Sequence, residues 1–273
     1  MTAAASPFRY FPVHVEKTER VTPSMIRVTF TGPGLAGMAS AGRDQRVKLF
    51  LPRPGQDAPV VPDPAEPEWY AAWRALDPSV RGVMRTFTIR SLGGSPRRLV
   101  IDFAFHGDLG PASSWASNAE PGSEIGVLAP VREENGGYDF RPPPETDWYL
   151  LSGDESALPA LTAIIESLPK EATVRAWIEL SDPAGRLRLP TGPGAEINWL
   201  VHGEDDPAPA AIRSASLPEG TPYAWVAGES ATVKEVRRHL VRERGMDRRA
   251  VYFAGYWRRG TSEDHLMATG EAA

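Results

Sequence analysis

In the first half of the chain, apolar and polar positions alternate in short runs at Met25–Thr31, Arg46–Leu51, Met84–Ser91, Leu99–Phe105 and Glu124–Ala129, separated by Gly and Pro. A period of two puts successive side chains on opposite faces of a strand, so these runs predict an antiparallel barrel or sandwich. Between Pro52 and Val83 the alternation fails among many prolines, with Trp69, Tyr70 and Trp73 as apolar anchors. That stretch reads as a long connection carrying a short helix, not a core strand.

The period changes after Pro142, Pro143 and Pro144, which read as a linker. Trp148–Ser152 has the character of a buried strand, and Leu161, Ile164, Ile165 and Leu168 follow at the spacing of one helix face. Further strands are predicted at Thr173–Leu180, Ile197–His202, Tyr223–Ala227 and Ala250–Gly255, with a helix from Ala231 to Arg244 stopped by Gly245. Strands alternating with helices predict a doubly wound parallel sheet. The expected organisation is a barrel domain over residues 1–143 and an α/β domain over residues 144–273.

Composition narrows the function. A length of 273 residues suits two domains. The formal net charge of −5, with no long block of like charge, lacks the electrostatic footprint of nucleic-acid binding. The N-terminus has no basic region followed by an apolar one, and no stretch approaches the roughly 18 apolar residues that span a bilayer. A cytoplasmic monomer without nucleic-acid or membrane partners is expected. The absence of cysteine excludes disulfides, thiolate catalysis and cysteine-ligated zinc or iron–sulfur clusters, so redox chemistry would need another carrier. His14, His106, His202, His239 and His265 form no pair at metal-binding spacing, and no protein metal site is expected. No triad or carboxylate pair supplies a catalytic acid, base or nucleophile.

Two segments of the barrel half carry candidate chemistry. In Arg85-Thr86-Phe87-Thr88-Ile89-Arg90, alternation sets Arg85, Phe87 and Ile89 on one face and the others opposite. An arginine can clamp a pyrophosphate and a threonine can bond the edge of a flavin ring, although a surface strand with solvated arginines fits the same residues. From Asp102 to Ala116 the chain reads strand, loop, helix start. Gly110 lets a phosphate approach the backbone, Pro111 suits a first helical turn, and the amides of Ala112 and Ser113 can face an anion. An ordinary capped helix packing Trp115 into the core is the alternative.

In the second half, Gly153 to Ala160 lies at the carboxyl end of the first sheet strand, where doubly wound folds bind ligands. No G-x-G-x-x-G is present, and Asp154 and Glu155 also suit the start of a helix. Glu179 and Asp182 could serve a ribose hydroxyl while Arg186 and Arg188 could serve a 2′-phosphate, a conflict that tilts slightly to NADPH. Trp257, after the last strand, could lie near a redox ring or simply pack.

Together these segments resemble the siderophore-interacting proteins, a branch of the ferredoxin reductase-like flavoenzymes. The resemblance rests on Arg85–Arg90, on Asp102–Ala116 read as D-F-x-x-H-G-x-x-G-P-A-S-x-W-A, on Val47-Lys48-Leu49, on Gly153–Ala160 and on Gly255–Gly260, and so spans nearly the whole chain. It implies a flavin-binding barrel followed by a nicotinamide nucleotide-binding domain. It further implies FAD contacts at Arg85, Phe87, Thr88, Arg90, Asp102, Phe103, His106, Gly110, Ala112, Ser113 and Trp115. NAD(P)H contacts are implied at Gly153, Asp154, Glu155, Ser156 and Ala157, and Arg186 joins them on the 2′-phosphate reading. Phe87 departs from the tyrosine common in relatives, which removes a phenolic hydrogen bond and keeps the aromatic packing.

The activity so implied is NAD(P)H-dependent, FAD-mediated reduction of ferric siderophores for iron acquisition. Because many ferric chelates are anionic, Lys48 and Arg259 are expected to face the substrate, and Trp257 is expected as a further substrate contact. A ferric-siderophore carrier without turnover, or a flavin reductase with another acceptor, are the alternatives.

Overall fold

Residues 6–66, 68–105, 110–261 and 264 are described in this computed structural model. Strands Phe8–Thr22 (β1), Met25–Thr31 (β2), Arg46–Leu51 (β3), Val83–Gly93 (β4), Arg98–Ala104 (β5) and Glu124–Pro130 (β6) form a closed antiparallel barrel in the order β1-β2-β5-β4-β3-β6. Alternate residues fill it: Val13, Val15, Val28, Phe30, Val47, Leu49, Ile101, Phe103, Ile125 and Val127 all belong to one buried cluster. Closure leaves no strand edge exposed.

β1 is the strand that sequence reading missed. Pro12 and the charged run from Glu16 to Arg20 masked it, although Phe11, Val13 and Val15 alternate and are buried. Pro12 sits on the outer face opposite Gly126, and the Tyr10 ring lies where a Cβ at residue 126 would be. The connection after β3 holds a short helix, Trp69–Ala75 (α1), as expected. It covers the outside of the barrel: Phe50 packs edge-on against Trp73 at 5.2 Å, and the Trp73 indole donates to the carbonyl of Gly82 at 3.2 Å. A further helix, Pro111–Asn118 (α2), follows β5.

The second half is a five-stranded sheet built from Trp148–Gly153 (β7), Thr173–Leu180 (β8), Ala195–Val201 (β9), Pro222–Glu229 (β10) and Val251–Trp257 (β11). Its order is β11-β10-β7-β8-β9, and every ladder is parallel. The chain runs outward from β7 to β9 and returns to place β10 on the other side of β7, so the order reverses between β7 and β10. The predicted doubly wound sheet is the one observed. Helices Leu158–Ser167 (α3), Ala208–Ser214 (α4) and Ser230–Arg238 (α5) connect β7 to β8, β9 to β10 and β10 to β11, while a short 3-10 turn, Pro183–Gly185, lies between β8 and β9. α4 was not predicted, because Asp205-Asp206-Pro207-Ala208-Pro209 reads as a turn. Ala208 and Ile212 of α4 and Val233 and Val236 of α5 pack with Trp148, Leu150, Trp177 and Val226. The predicted long helix ends in a π-helical segment, His239–Glu243, and Gly245 with φ of 73° closes it.

Contacts divide the chain into two compact units, Met1–Val21 with Ile26–Tyr138, and Thr22–Met25 with Asp139–Ala273.

Candidate functional site

Within the barrel unit, β4 and β5 run antiparallel, which brings the start of β4 beside the end of β5. Phe87 and Phe103 meet at 4.5 Å between ring centroids, and Trp115 of α2 lies 5.8 Å from Phe103 and 6.2 Å from Phe30. This aromatic floor supports the segment Arg85–Arg90. Arg85 is 6% exposed, lies opposite Leu49 on the face that carries Val83 and Ile89, and donates to the Met84 carbonyl at 2.8 Å. Thr88 is buried opposite Arg46. The ladder shifts between Ile89 and Ser91, so the predicted alternation ends at Arg90, which sits at the irregularity.

α2 begins without a side-chain cap, with Pro111 in its first turn, and the first helical bond runs from the Ser114 amide to the Gly110 carbonyl at 2.9 Å. Among the described residues the amides of Ala112 and Ser113 have no side-chain acceptor of the kind an ordinary capped helix supplies. Gly110 has φ of −66°, and a Cβ there would meet nothing within 4 Å, so neither backbone nor packing calls for glycine.

Two expected contacts differ in role. Phe103 has no exposed surface and belongs to the barrel core, so its side chain can serve only by packing. Asp102 is gripped by Arg27 of β2 through Nε–Oδ1 at 2.7 Å and Nη2–Oδ2 at 2.8 Å, a bidentate pair that fixes the end of β5. Sequence spacing gave no signal for Arg27, which is 75 residues away. His106 lies outside the described residues.

In the sheet unit, the carboxyl end of β7 meets those of β10 and β11. Asp154 is 8% exposed, and its Oδ1 accepts from the Ser156 amide at 2.9 Å and the Ser156 hydroxyl at 2.5 Å. Its Oδ2 accepts from the Glu229 amide and from the Trp257 indole, both at 2.8 Å. Four donors fill the acceptor positions of a carboxylate, so Asp154 is a buried junction and not a helix cap. The α3 N-terminus indeed has no side-chain cap. Ala157 is fully buried, and Gly153 has no room for a Cβ, which would fall 2.7 Å from both the Ala157 Cβ and the Ala227 carbonyl oxygen. These two shape the crevice and offer it no side-chain contact.

Glu155 is 5% exposed and accepts from the hydroxyls of Ser24 and, at 2.9 Å, Ser181. Glu229 caps α5 by accepting from the amides of Ala231 at 2.7 Å and Thr232 at 3.1 Å, and also accepts from the Arg259 amide at 3.3 Å. The side chains of Arg186 and Arg259 are exposed. Lys48, half-buried on β3, reaches Thr86 across the ladder with Nζ 2.6 Å from Oγ1. Among the described residues no group of three or more His, Cys, Asp or Glu could hold a metal ion, and no helix is long and apolar enough to cross a membrane.

The siderophore-interacting FAD-binding domain family matches residues 14–134, and the siderophore-interacting protein family matches residues 146–260. The ferric vibriobactin reductase of Vibrio cholerae is 31% identical, covering 89% of this chain and 88% of its own. The chain belongs to the siderophore-interacting protein family. Another member, the NADPH-dependent ferric-chelate reductase of Escherichia coli, is 32% identical over 91% of this chain and 93% of its own. The crystal structure of a siderophore utilization protein from T. fusca superposes with a TM-score of 0.79 at 36% identity, covering 95% and 97% of the two chains. The barrel is thus the family's FAD-binding domain, and the resemblance inferred from the separated motifs is correct.

Glu179, of the proposed ribose-binding pair, lies near the end of β8. It is 7% exposed, and burial pushes its carboxyl above the ordinary value of 4.5 against the opposing bond from the Ala208 amide at 2.9 Å. A carboxylate with a raised folded pKa subtracts stability once pH exceeds that pKa and subtracts none below the unfolded value. Glu179→Gln retains an acceptor for Ala208 and is expected to raise the unfolding midpoint at pH 7, with the gain fading as pH falls towards 4.5. A gain unchanged at acid pH would contradict this origin.

Proposed function

We propose that this siderophore-interacting protein is an NAD(P)H-dependent ferric-siderophore reductase. The observation that carries the reading is the start of α2, which has no side-chain cap among the described residues, in a chain of this family whose Phe87 on β4 and Trp115 on α2 both meet the ring of Phe103. Arg85 and Arg90 balance the diphosphate charge of FAD, the amides of Ala112 and Ser113 receive a phosphate, and Thr88 bonds the ring edge. Phe87 and Trp115 pack beside the cofactor on the buried ring of Phe103. Asp102, held by Arg27, positions the strand without touching the ligand.

Bound FAD supplies the conversion between a two-electron donor and a one-electron acceptor. The balanced reaction takes one NAD(P)H and two Fe(III) chelates to NAD(P)⁺, a proton and two Fe(II), which siderophores hold less tightly. No side chain is required as acid, base or nucleophile, which accords with a site built of hydrogen-bond donors and aromatic rings. The nicotinamide nucleotide occupies the crevice at the carboxyl ends of β7 and β10, near Gly153–Ser156, with exposed Arg186 available to a 2′-phosphate. For the ferric chelate the proposed candidates are Lys48 on the barrel unit and, separately, Trp257 and Arg259 on the sheet unit, either cation acting by attraction to its negative charge.

The reading is tested by trapping Fe(II) with a ferrous-specific chelator under anaerobic turnover. Two Fe(II) per NAD(P)H oxidised are expected. Binding of the ferric siderophore with no NAD(P)H oxidation would identify a carrier instead.

A further inference from the structure

We infer that Asp154 is a positioning residue that sets affinity for the nicotinamide nucleotide by pinning Trp257 and the end of β10 at the crevice where the strand order reverses. The inference rests on the reductase reading above. The carboxylate gathers three segments distant in sequence: the turn after β7 through both donors of Ser156, the end of β10 through the Glu229 amide, and the last residue of β11 through the Trp257 indole. These segments converge on the carboxyl ends of β7, β10 and β11, and in doubly wound sheets the crevice at the reversal is where a nucleotide binds.

Two further features show that the junction is built and not incidental. Gly228 adopts φ of 140°, and a Cβ there would lie 2.6 Å from Asp154 Oδ2, so β10 is bare of a side chain where the carboxylate approaches. Trp257 is held from both ends, its indole by Asp154 and its carbonyl by the Ser230 hydroxyl at 3.0 Å. With four donors on its two oxygens, Asp154 has no position left for a ligand. Its influence must pass through the groups it holds.

Asp154→Asn turns an amide NH₂ towards two of the four donors and should release either Ser156 or the Glu229–Trp257 pair. Trp257→Phe removes the single indole donor and keeps an aromatic ring. The experiment titrates NAD(P)H against the FAD-loaded proteins anaerobically, following flavin bleaching, for wild type, both single variants and the double variant, with flavin content and unfolding midpoint recorded alongside. The expected result is full flavin loading throughout and an apparent Kd for NAD(P)H raised about tenfold in Asp154→Asn. Trp257→Phe should show part of that rise, and the double variant less than the product of the two. A merely structural role would lower the unfolding midpoint and leave the apparent Kd unchanged, or give multiplicative effects, and either outcome overturns the inference. Where Asp154→Asn fails to fold, Gly228→Ala, which displaces the same carboxylate, takes its place with the same expected rise. If wild-type flavin is not bleached by NAD(P)H, the reductase reading fails and this inference with it. Bleaching of wild type and variant at equal affinity removes this inference alone.

Discussion

Replacing Arg85 with alanine is expected to deplete FAD while leaving the α/β unit folded. Arg85 is 6% exposed and stands at the start of β4, beside the strand that leads to the α2 terminus. A guanidinium there can bond a phosphate through two parallel N–H groups, and charge-assisted bonds of that kind contribute about 1.5–3 kcal/mol each. Losing even one of them weakens FAD by roughly ten- to a hundredfold, enough to deplete the site on purification. The measurement is flavin absorbance per chain, with far-UV circular dichroism to verify folding. A folded variant that keeps near-full flavin would remove Arg85 from the cofactor site.

Removing Arg27 is expected to cost the barrel more than removing a surface arginine. Its partner Asp102 has a side chain only 2% exposed, so Arg27→Ala strands a carboxylate in the barrel wall. Breaking a buried pair by deleting one partner costs about 3–5 kcal/mol, and the 29% exposure of Arg27 lowers the expectation to about 2–3 kcal/mol. The unfolding midpoint in urea of the FAD-free protein should fall clearly. The paired replacement Arg27→Met with Asp102→Leu should recover most of it, because no charge is then left unpaired. Equal midpoints for wild type and Arg27→Ala would show that the pair adds nothing.

Much of this architecture was legible because period and punctuation agree. β8 was predicted at its observed bounds, Thr173–Leu180, since its apolar run lies between a turn and a polar loop. β1 was hidden because its three inward residues, Phe11, Val13 and Val15, surround a proline and precede a charged run. α4 was hidden because Pro207 and Pro209 read as loop, whereas proline is tolerated in a first helical turn. At the candidate site, sequence reading names candidate residues but not their pairings. It took Asp102 and Asp154 for ligand contacts, and the structure shows both satisfied within the protein, by Arg27 and by Ser156, Glu229 and Trp257. Apart from Ser156, two residues on, these partners lie 75 or 103 residues away, and nothing local marks those bonds. The alternation along β4 likewise gave no hint of the shift after Ile89 that ends the predicted facing at Arg90.

The central claim is that electrons pass from a nicotinamide nucleotide to ferric siderophore through flavin held by this chain. The direct test mixes FAD-loaded protein with NADPH or NADH in the absence of oxygen, follows flavin absorbance, and then adds a ferric siderophore. The account predicts loss of the oxidised flavin spectrum in the first step and its return in the second, with Fe(II) appearing as the spectrum recovers. Flavin that is bleached and stays bleached in the presence of excess ferric siderophore would contradict it.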